Sequence, residues 1–535
     1  MRRLRVVVGL AAAGAVGATV MLGAAPAALG STTITPSVES VRQVTYGGST
    51  QHLYLLPQVA VDPKNPNTVV LVDGDYREGG CSLFASTNGG LTWTTNSTSI
   101  LPSGYQSCIA RPDTEPELAP RFSPDGSTLY VAMAAQTPAG AQHGPISLAV
   151  ARSTDLGLNT TSKIVFQSAM LTGTTKGGAT ASEPEEFRSA TMAVDPSDPS
   201  RIYVGAERDP DSVPASINVM DQPAVAVSTD GGLNWGSETD LGTATMSQSG
   251  GPYNGYTPVL LAANNGTVYA VAEGLSTGSS SSGSSLYPMY LYSSTDHGAH
   301  WTASTITTGQ AGADEPSAAI DPATGAIYVA WDSATPQMTE NIFVTHSLDG
   351  GKTWSKPASP VPSSVSMVSD RYTPGISVAP DGRVDVSWLD FRNDPFHPTG
   401  GMVQYSDTYY AYSTDQGATW SSNVRVTPTS VDQNLTESYF AFNIESAAIA
   451  STNNSVYIAW TQPQPAEPGS QSEDDFFTRV DLSGNVTLAS AKKSSNHDVA
   501  WGIGGLAIGL AVAGLVLLVL GRRGRGAPTA PPATT

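Results

Sequence analysis

The sequence predicts an all-β chain built as a seven-bladed β-propeller, with six blades as the runner-up count. Two interleaved repeats predict it, one of octets and one of hairpins. The octet follows S-x-D-x-G-x-x-W and occurs as STNGGLTW (86–93), STDLGLNT (153–160), STDGGLNW (228–235), STDHGAHW (294–301), SLDGGKTW (347–354) and STDQGATW (413–420). The first carries Asn88 in place of Asp, and the second ends in Thr160 in place of Trp. Recurrence at intervals of roughly 50–75 residues marks an array of similar supersecondary units.

The hairpins precede the octets. They are QVAVDPKNPNTVVLVDGD from Gln58, RFSPDGSTLYVAMA from Arg121, TMAVDPSDPSRIYVGAE from Thr191 and PVLLAANNGTVYAVAE from Pro258. SAAIDPATGAIYVAWD from Ser317, GISVAPDGRVDVSWLD from Gly375 and SAAIASTNNSVYIAW from Ser446 follow. Each joins a small-apolar strand to a β-rich strand through a Pro/Asp/Gly/Asn turn, which is a hairpin signature. After the seventh, FFTRVDLSGNVTLA (476–489) stands in the octet place with only Asp481 and Gly484 as a remnant. Strand, strand, strand, Asp-turn, strand is one four-stranded propeller blade.

The octet itself reads as a turn between the third and fourth strands. Asp or Asn binds nearby backbone N–H groups, and Gly supplies the positive φ of a tight turn. The Trp is expected to be buried beneath the turn, fixing one hairpin on the next. Apolar strands such as AVAV before Ser228 and NIFVTH before Ser347 lead into it. The octets are therefore structural.

These octets resemble Asp-box (bacterial neuraminidase) repeats, and the arrangement resembles the sialidase superfamily of β-propellers. DRYTPGISVAPDGRVDVSWLDFRNDP (370–395) and YYAYSTDQGATWSSNVRVT (409–427) are similar to secreted sialidase-like proteins. The resemblance covers nearly all of residues 50–490. It implies an exo-glycosidase acting on sialylated or other extracellular glycans, or alternatively a non-catalytic propeller that binds a glycan or an envelope protein. Sialidases carry an F/Y-R-I-P segment before the first Asp-box; here Tyr76-Arg77 is followed by Glu78 and Gly79, so that motif is unmatched.

The two ends predict where the chain sits. Residues 1–30 read as a signal peptide: a basic start with Arg2, Arg3 and Arg5, an apolar stretch over 6–22, and small-residue sites at Ala25-Pro26-Ala27 and Ala28-Leu29-Gly30. Residues 31–490 form the ectodomain and 491–498 a juxtamembrane linker. Residues 499–520 carry no charge and match a membrane-spanning helix. Arg522, Arg523 and Arg525 then place the tail, 521–535, in the cytoplasm. The expected location is the cell membrane, in a single pass, with the propeller outside. A Ser/Gly run at 276–285 and a Ser/Pro/Glu stretch at 462–475 read as insertions.

The chain carries 26 basic and 46 acidic residues; six of the Arg lie in the two ends, so the ectodomain is 20 minus 46, or −26. Such acidity argues against nucleic acid or an anionic membrane surface as partner. Its cysteines, Cys81 and Cys108, are expected to form one disulfide in an oxidising exterior. Closing that loop contributes roughly 3 kcal/mol in the chain-entropy model. No zinc-protease, nucleophile-elbow, phosphate-loop or dinucleotide motif is present, so no cofactor or metal is expected.

Chemistry is sought at the end of each blade opposite the octets. Second strands end there in Asp75-Tyr76-Arg77, Glu207-Arg208, Glu273, Asp332 and Asp390-Phe391-Arg392. Innermost strands begin there with Glu117, Glu186 and Arg188, Glu315, and Asp370-Arg371-Tyr372. Guanidinium forks bind carboxylates bidentately, and carboxylate pairs do general acid and base work in glycoside hydrolysis. Arg77, Arg208, Arg371 and Arg392 are the candidate substrate-binding residues. The resemblance implies a Tyr nucleophile with acidic partners, and Tyr372 or Tyr76 fits, with Asp370 and Glu315 as catalytic carboxylates. The competing structural role is that these charges pair with one another and staple neighbouring blades.

Overall fold

The computed structural model of the chain describes residues 32–45, 53–75, 80–97, 100–108, 118–137, 146–168, 170–174, 180–184, 186–209, 222–241, 258–274, 286–311, 314–335, 339–365, 369–396, 404–435, 448–463, 473–483 and 487–488. Over these residues the fold is all-β, with a single 3-10 turn at Gln433–Leu435. Among the described residues no helix is long and apolar enough to cross a membrane. The expected signal peptide, linker, membrane span and tail (1–30, 491–498, 499–520 and 521–535) lie outside the described residues.

The chain divides into two compact units. One is residues 36–484; the other is made of the two ends, where Thr32 pairs with Leu488 and Thr33 with Thr487. Within 36–484, antiparallel sets follow one another in sequence. The first is Gln58–Val61, Val69–Gly74, Cys81–Ser86 and Thr94–Ser97. The second is Leu118–Phe122, Leu129–Gln136, Ile146–Ser153 and Thr161–Phe166. The third is Glu186–Val194, Ile202–Asp209, Gln222–Ser228 and Thr239–Asp240. The fourth is Val259–Ala262, Val268–Glu273, Leu286–Ser294 and Thr302–Ala311.

Later sets vary this plan. The fifth, Asp314–Ile320, Ile327–Ala334 and Glu340–Ser347, has its fourth strand reduced to a bridge between Val344 and Ala358. The sixth is Arg371–Val378, Val384–Asp390, Tyr405–Ser413 and Val424–Arg425. The seventh, Ala448–Ser451, Ser455–Pro463 and Glu473–Asp481, is completed from the far end of the sequence. Ser37–Val38 and Arg42–Gln43 both pair antiparallel with Glu473–Asp481. An extra hairpin, Met170–Thr174 with Thr180–Pro184, separates the second and third sets.

The first strand of each set packs on the first strand of the next, and Ala448–Ser451 packs on Gln58–Val61. All seven first strands line one cavity of about 400 Å³. Second strands such as VVLVDG and VYAVAE are buried at every position. They run nearly continuously apolar, because a sheet covered on both faces has no polar side to alternate with. Each apolar cluster is accordingly shared by two consecutive sets: Val70, Val72 and Leu83 with Val131 and Met133, for example.

Each octet makes one turn geometry. The Ser hydroxyl donates to the Asp carboxylate or Asn amide oxygen and accepts the N–H of the Gly four residues on, at 2.8–2.9 Å from Gly90, Gly157, Gly232, Gly298, Gly351 and Gly417. The Asp oxygen accepts a second N–H four residues on, at 2.8–3.0 Å. The Trp rings differ from expectation. Trp93, Trp235, Trp301, Trp354 and Trp420 are half-buried, because the turn they brace lies at the surface. Their inner faces rest on the preceding sheet: Trp93 meets Phe477 edge-on at 4.9 Å, and Trp235 packs on the cluster holding Tyr130 and Ile202. Cys81, opening a third strand, is bonded to Cys108 in the segment leading to the second set, and both are fully buried.

Candidate functional site

Antiparallel pairing places the end of each second strand against the start of its first strand. Asp390 is opposite Arg371, Glu207 opposite Arg188 and Asp332 opposite Asp314. This assembles a charged rim at the end away from the octets. Asp73, Asp75, Glu273, Asp332 and Asp390 are all buried there. First strands are also distorted near this rim, with register shifts at Arg188/Ala190, Asp314/Ser317 and Tyr372/Gly375. Ser189 and Thr373 take φ of 48° and 49° inside two of these irregularities. A left-handed non-glycine residue costs of order 1–3 kcal/mol, and such strain gathers at functional sites.

Tyr372 sits beside this strain. It is half-buried, its ring edge-on to Phe391 at 6.0 Å. Burial raises its phenol pKa well above the usual value, and the negative charges of Asp370, Glu340 and Asp332 raise it further. The phenol is hydrogen-bonded to Asp370, whose carboxylate also accepts the Glu340 N–H at 2.9 Å. A protonated phenol thus stands among three carboxylates drawn from two sheets. Such a site favours positive charge developing on a ligand and offers carboxylates as base and acid.

The rim arginines are committed to internal partners. Arg371, 1% exposed, donates Nε to Asp390 Oδ2 at 3.1 Å and its two terminal nitrogens to Ser369. Arg392 binds the same Asp390 oxygen, donates to Asn423 Oδ1 at 3.1 Å and lies 3.9 Å over the Tyr409 ring. Trp388 Nε1 completes the hub with a 2.8 Å bond to Asp390 Oδ2. Arg208 lies elsewhere, paired with Glu238 at 3.1 Å and Asp240 at 3.2 Å and stacked 5.9 Å from Phe187. The structure therefore brings Arg371 and Arg392 together, around a carboxylate of the protein, and keeps Arg208 apart. Arg77 and Tyr76 lie outside the described residues, as do the side chains of Glu315 and Arg188.

A second acidic cluster was not singled out from the sequence. Glu473, Asp474 and Asp475 read there as the tail of an insertion, yet they open a strand and are buried. Pairing with Ser455–Pro463 and with the N-terminal Arg42–Gln43 draws this polar run into the sheet. Thr45 Oγ1 donates to Asp474 at 2.9 Å and accepts the Asp475 N–H at 2.8 Å. Asp475 meets Asp73 of the first set. Burial, opposed by hydrogen bonds, pushes the Asp73 carboxyl up to about 7; burial and the Asp73 charge raise Asp475 well above the carboxylate range. Asp475 Oδ2 has no donor, so a proton held between the two acids completes the contact. Glu340 was likewise missed, since nothing around it, just before NIFVTH, distinguishes it in one dimension. Among the described residues, no group of three or more His, Cys, Asp or Glu is arranged to hold a metal ion.

Two family descriptions match the sequence: a BNR repeat-like domain over residues 190–384 and a BNR/Asp-box repeat over residues 411–422. The chain thus carries BNR/Asp-box repeats. The resemblance drawn from the octets is thereby borne out. Curated protein sequences contain no match. Among solved structures, the chain is similar to the NanB sialidase of Streptococcus pneumoniae, at 10% identity over 78% of this chain and 84% of that one, with a TM-score of 0.42. It is also similar to the GH93 α-L-arabinofuranosidase of Fusarium graminearum, at 15% identity over 66% and 93%, with a TM-score of 0.41. The α-L-arabinanase of Penicillium chrysogenum aligns at 16% identity over 66% and 94%, with a TM-score of 0.42.

Proposed function

We propose that this chain is a seven-bladed β-propeller displayed outside the cell, and that it hydrolyses an uncharged glycan at the rim around Tyr372. The blade count is supported by the cyclic packing of the first strands and by the N-terminal strands that complete the seventh set. Its outward display is supported by the basic and apolar start of the sequence, the uncharged stretch 499–520 and the buried disulfide.

One observation carries the choice of substrate: three carboxylates surround Tyr372 while the described rim arginines are neutralised by the protein's own acids. A sugar bearing a carboxylate would meet repulsion and, among the described residues, no free guanidinium at the rim. An uncharged sugar ring, by contrast, gains as oxocarbenium character develops in the transition state. In this scheme the Tyr372 oxygen attacks the anomeric carbon as Asp370 takes its proton. Whichever of Asp332 and Glu340 holds a proton when the glycoside binds gives it to the departing oxygen. Water then attacks the glycosyl-tyrosine, losing its proton to that same carboxylate, while Asp370 returns its proton to the Tyr372 oxygen.

Turnover by the purified protein on a panel of aryl glycosides of neutral sugars and of sialosides tests this. Activity is expected on a neutral glycoside, falling by about 10²-fold or more in Tyr372→Phe and Asp370→Asn with the melting temperature kept. Turnover of sialosides alone would overturn the substrate class. Absence of all turnover with retained binding to a glycan array would establish the non-catalytic alternative.

A further inference from the structure

The cavity enclosed by the seven first strands has a second, separate chemistry. Its walls are apolar, from residues such as Val59, Met192, Leu260 and Ile376, and the lining contains one charged side chain, Arg121. Ser377 and Ser451 are the other polar side chains in the lining, and no carboxylate takes part. Arg121 is the fourth residue of Leu118–Phe122. It therefore lies about 10 Å along that strand from Leu118, at about 3.3 Å per residue.

Among the described residues, Arg121 forms no ion pair. Its hydrogen bond is Nη1 to the neighbouring Pro120 carbonyl at 2.8 Å, which leaves four N–H donors of the fork unused. Arg121 is exposed to solvent in the cavity, and the protein packed around its guanidinium lowers its pKa with no opposing charge. Arg remains cationic even so. Solvated and without a carboxylate partner among the described residues, the guanidinium is available to a ligand of opposite sign. The contrast with the rim is direct, because Arg208, Arg371 and Arg392 each have a carboxylate.

We propose that this cavity binds a small organic monoanion, a carboxylate with an apolar body, whose head is held by Arg121. About 400 Å³ lies within the roughly 300–1,000 Å³ range of small-molecule pockets. The guanidinium fork matches a carboxylate bidentately. The apolar walls select against inorganic anions, which would lose hydration and gain one partner.

The test uses 2-naphthoate as probe and naphthalene-2-carboxamide as its uncharged counterpart, titrated calorimetrically into the whole protein. Saturable binding of naphthoate is expected, with the carboxamide weaker by about tenfold or more. Arg121→Gln should abolish that difference, and Tyr372→Phe should leave it intact, which separates this site from the rim. Equal binding of the two probes, no binding of naphthoate up to its solubility limit, or unchanged naphthoate affinity in Arg121→Gln would each overturn the proposal. If Arg121→Gln does not fold, the two-probe comparison on the unaltered protein decides.

Discussion

At the octet end of the sheets, six turns repeat the same Ser, Asp and Gly bonds to within a few tenths of an ångström. At the opposite end the sheets differ: a carboxylate pair joins the first and seventh, a half-buried Arg pairs in the third, and a buried Arg–Asp hub fills the sixth. Repetition at one end shows one turn that six of the seven sheets share. Divergence at the other shows residues answering to local demands, either a ligand or a neighbouring sheet. Variants at the two ends separate these demands.

The largest effect is expected at the hub. Asp390 is wholly buried and receives Arg371 Nε, Arg392, the Trp388 indole and the Arg392 N–H at 2.8 Å. Asp390→Ala would leave Arg371 buried without its Asp390 carboxylate, so a loss of about 3–5 kcal/mol is expected by denaturant titration. An unchanged midpoint would mean that this part of the rim carries no structure, and the contrast between the two ends would sharpen into fold against function.

The octet end was legible in one dimension because its signal is local: Ser, Asp and Gly act within four residues of one another. The second strands were legible for a similar reason, since continuous burial writes a continuous apolar run. The rim was legible only as composition. Which acid meets which Arg depends on partners across a sheet or from the next one, as with Arg208 and Asp240. The closing strands Ser37–Val38 and Arg42–Gln43 were invisible, because two residues carry no periodicity. Arg121 gave no signal either, sitting in RFSPDG as the residue before an ordinary turn.

A smaller effect is expected at the octet end. Gly351 has φ of 85°, and a Cβ there would overlap Leu291 of the preceding set. Gly351→Ala therefore combines strain with a clash at a sheet-to-sheet contact, for an expected loss of about 1–3 kcal/mol. Because the other turns are intact, the loss should appear as a lower melting temperature with an unchanged circular dichroism spectrum. Rim activity should be unaffected, and a parallel loss of turnover would show that the two ends are coupled.

The Asp73–Asp475 pair predicts a dependence on pH. Its folded-state pKa values lie above the usual carboxylate value of about 3.9. The folded protein thus holds a proton that the unfolded chain has released, and stability from this pair falls as pH rises from about 4 through about 7. Asp73→Asn keeps a donor toward Asp475 and removes one titrating group. Its melting temperature should fall less steeply over that window than the parent's; parallel slopes would show that the pair shares no proton.

The smallest effect is expected at Arg208. Its side chain is 21% exposed, and its partners Glu238 and Asp240 are 32% and 33% exposed. Solvent screens such a pair, and exposed ion pairs contribute about 0–1 kcal/mol. Arg208→Gln should therefore cost less than about 1 kcal/mol and lose even that at high salt. The same variant bears on the rim's function. If Arg208 releases Glu238 and Asp240 to hold an anionic ligand, sialoside binding would drop while stability barely moved. If it is an ordinary surface pair, neither measurement should change, and the divergent end narrows to the sixth sheet and its neighbour, where Tyr372 meets Asp370, Glu340 and Asp332.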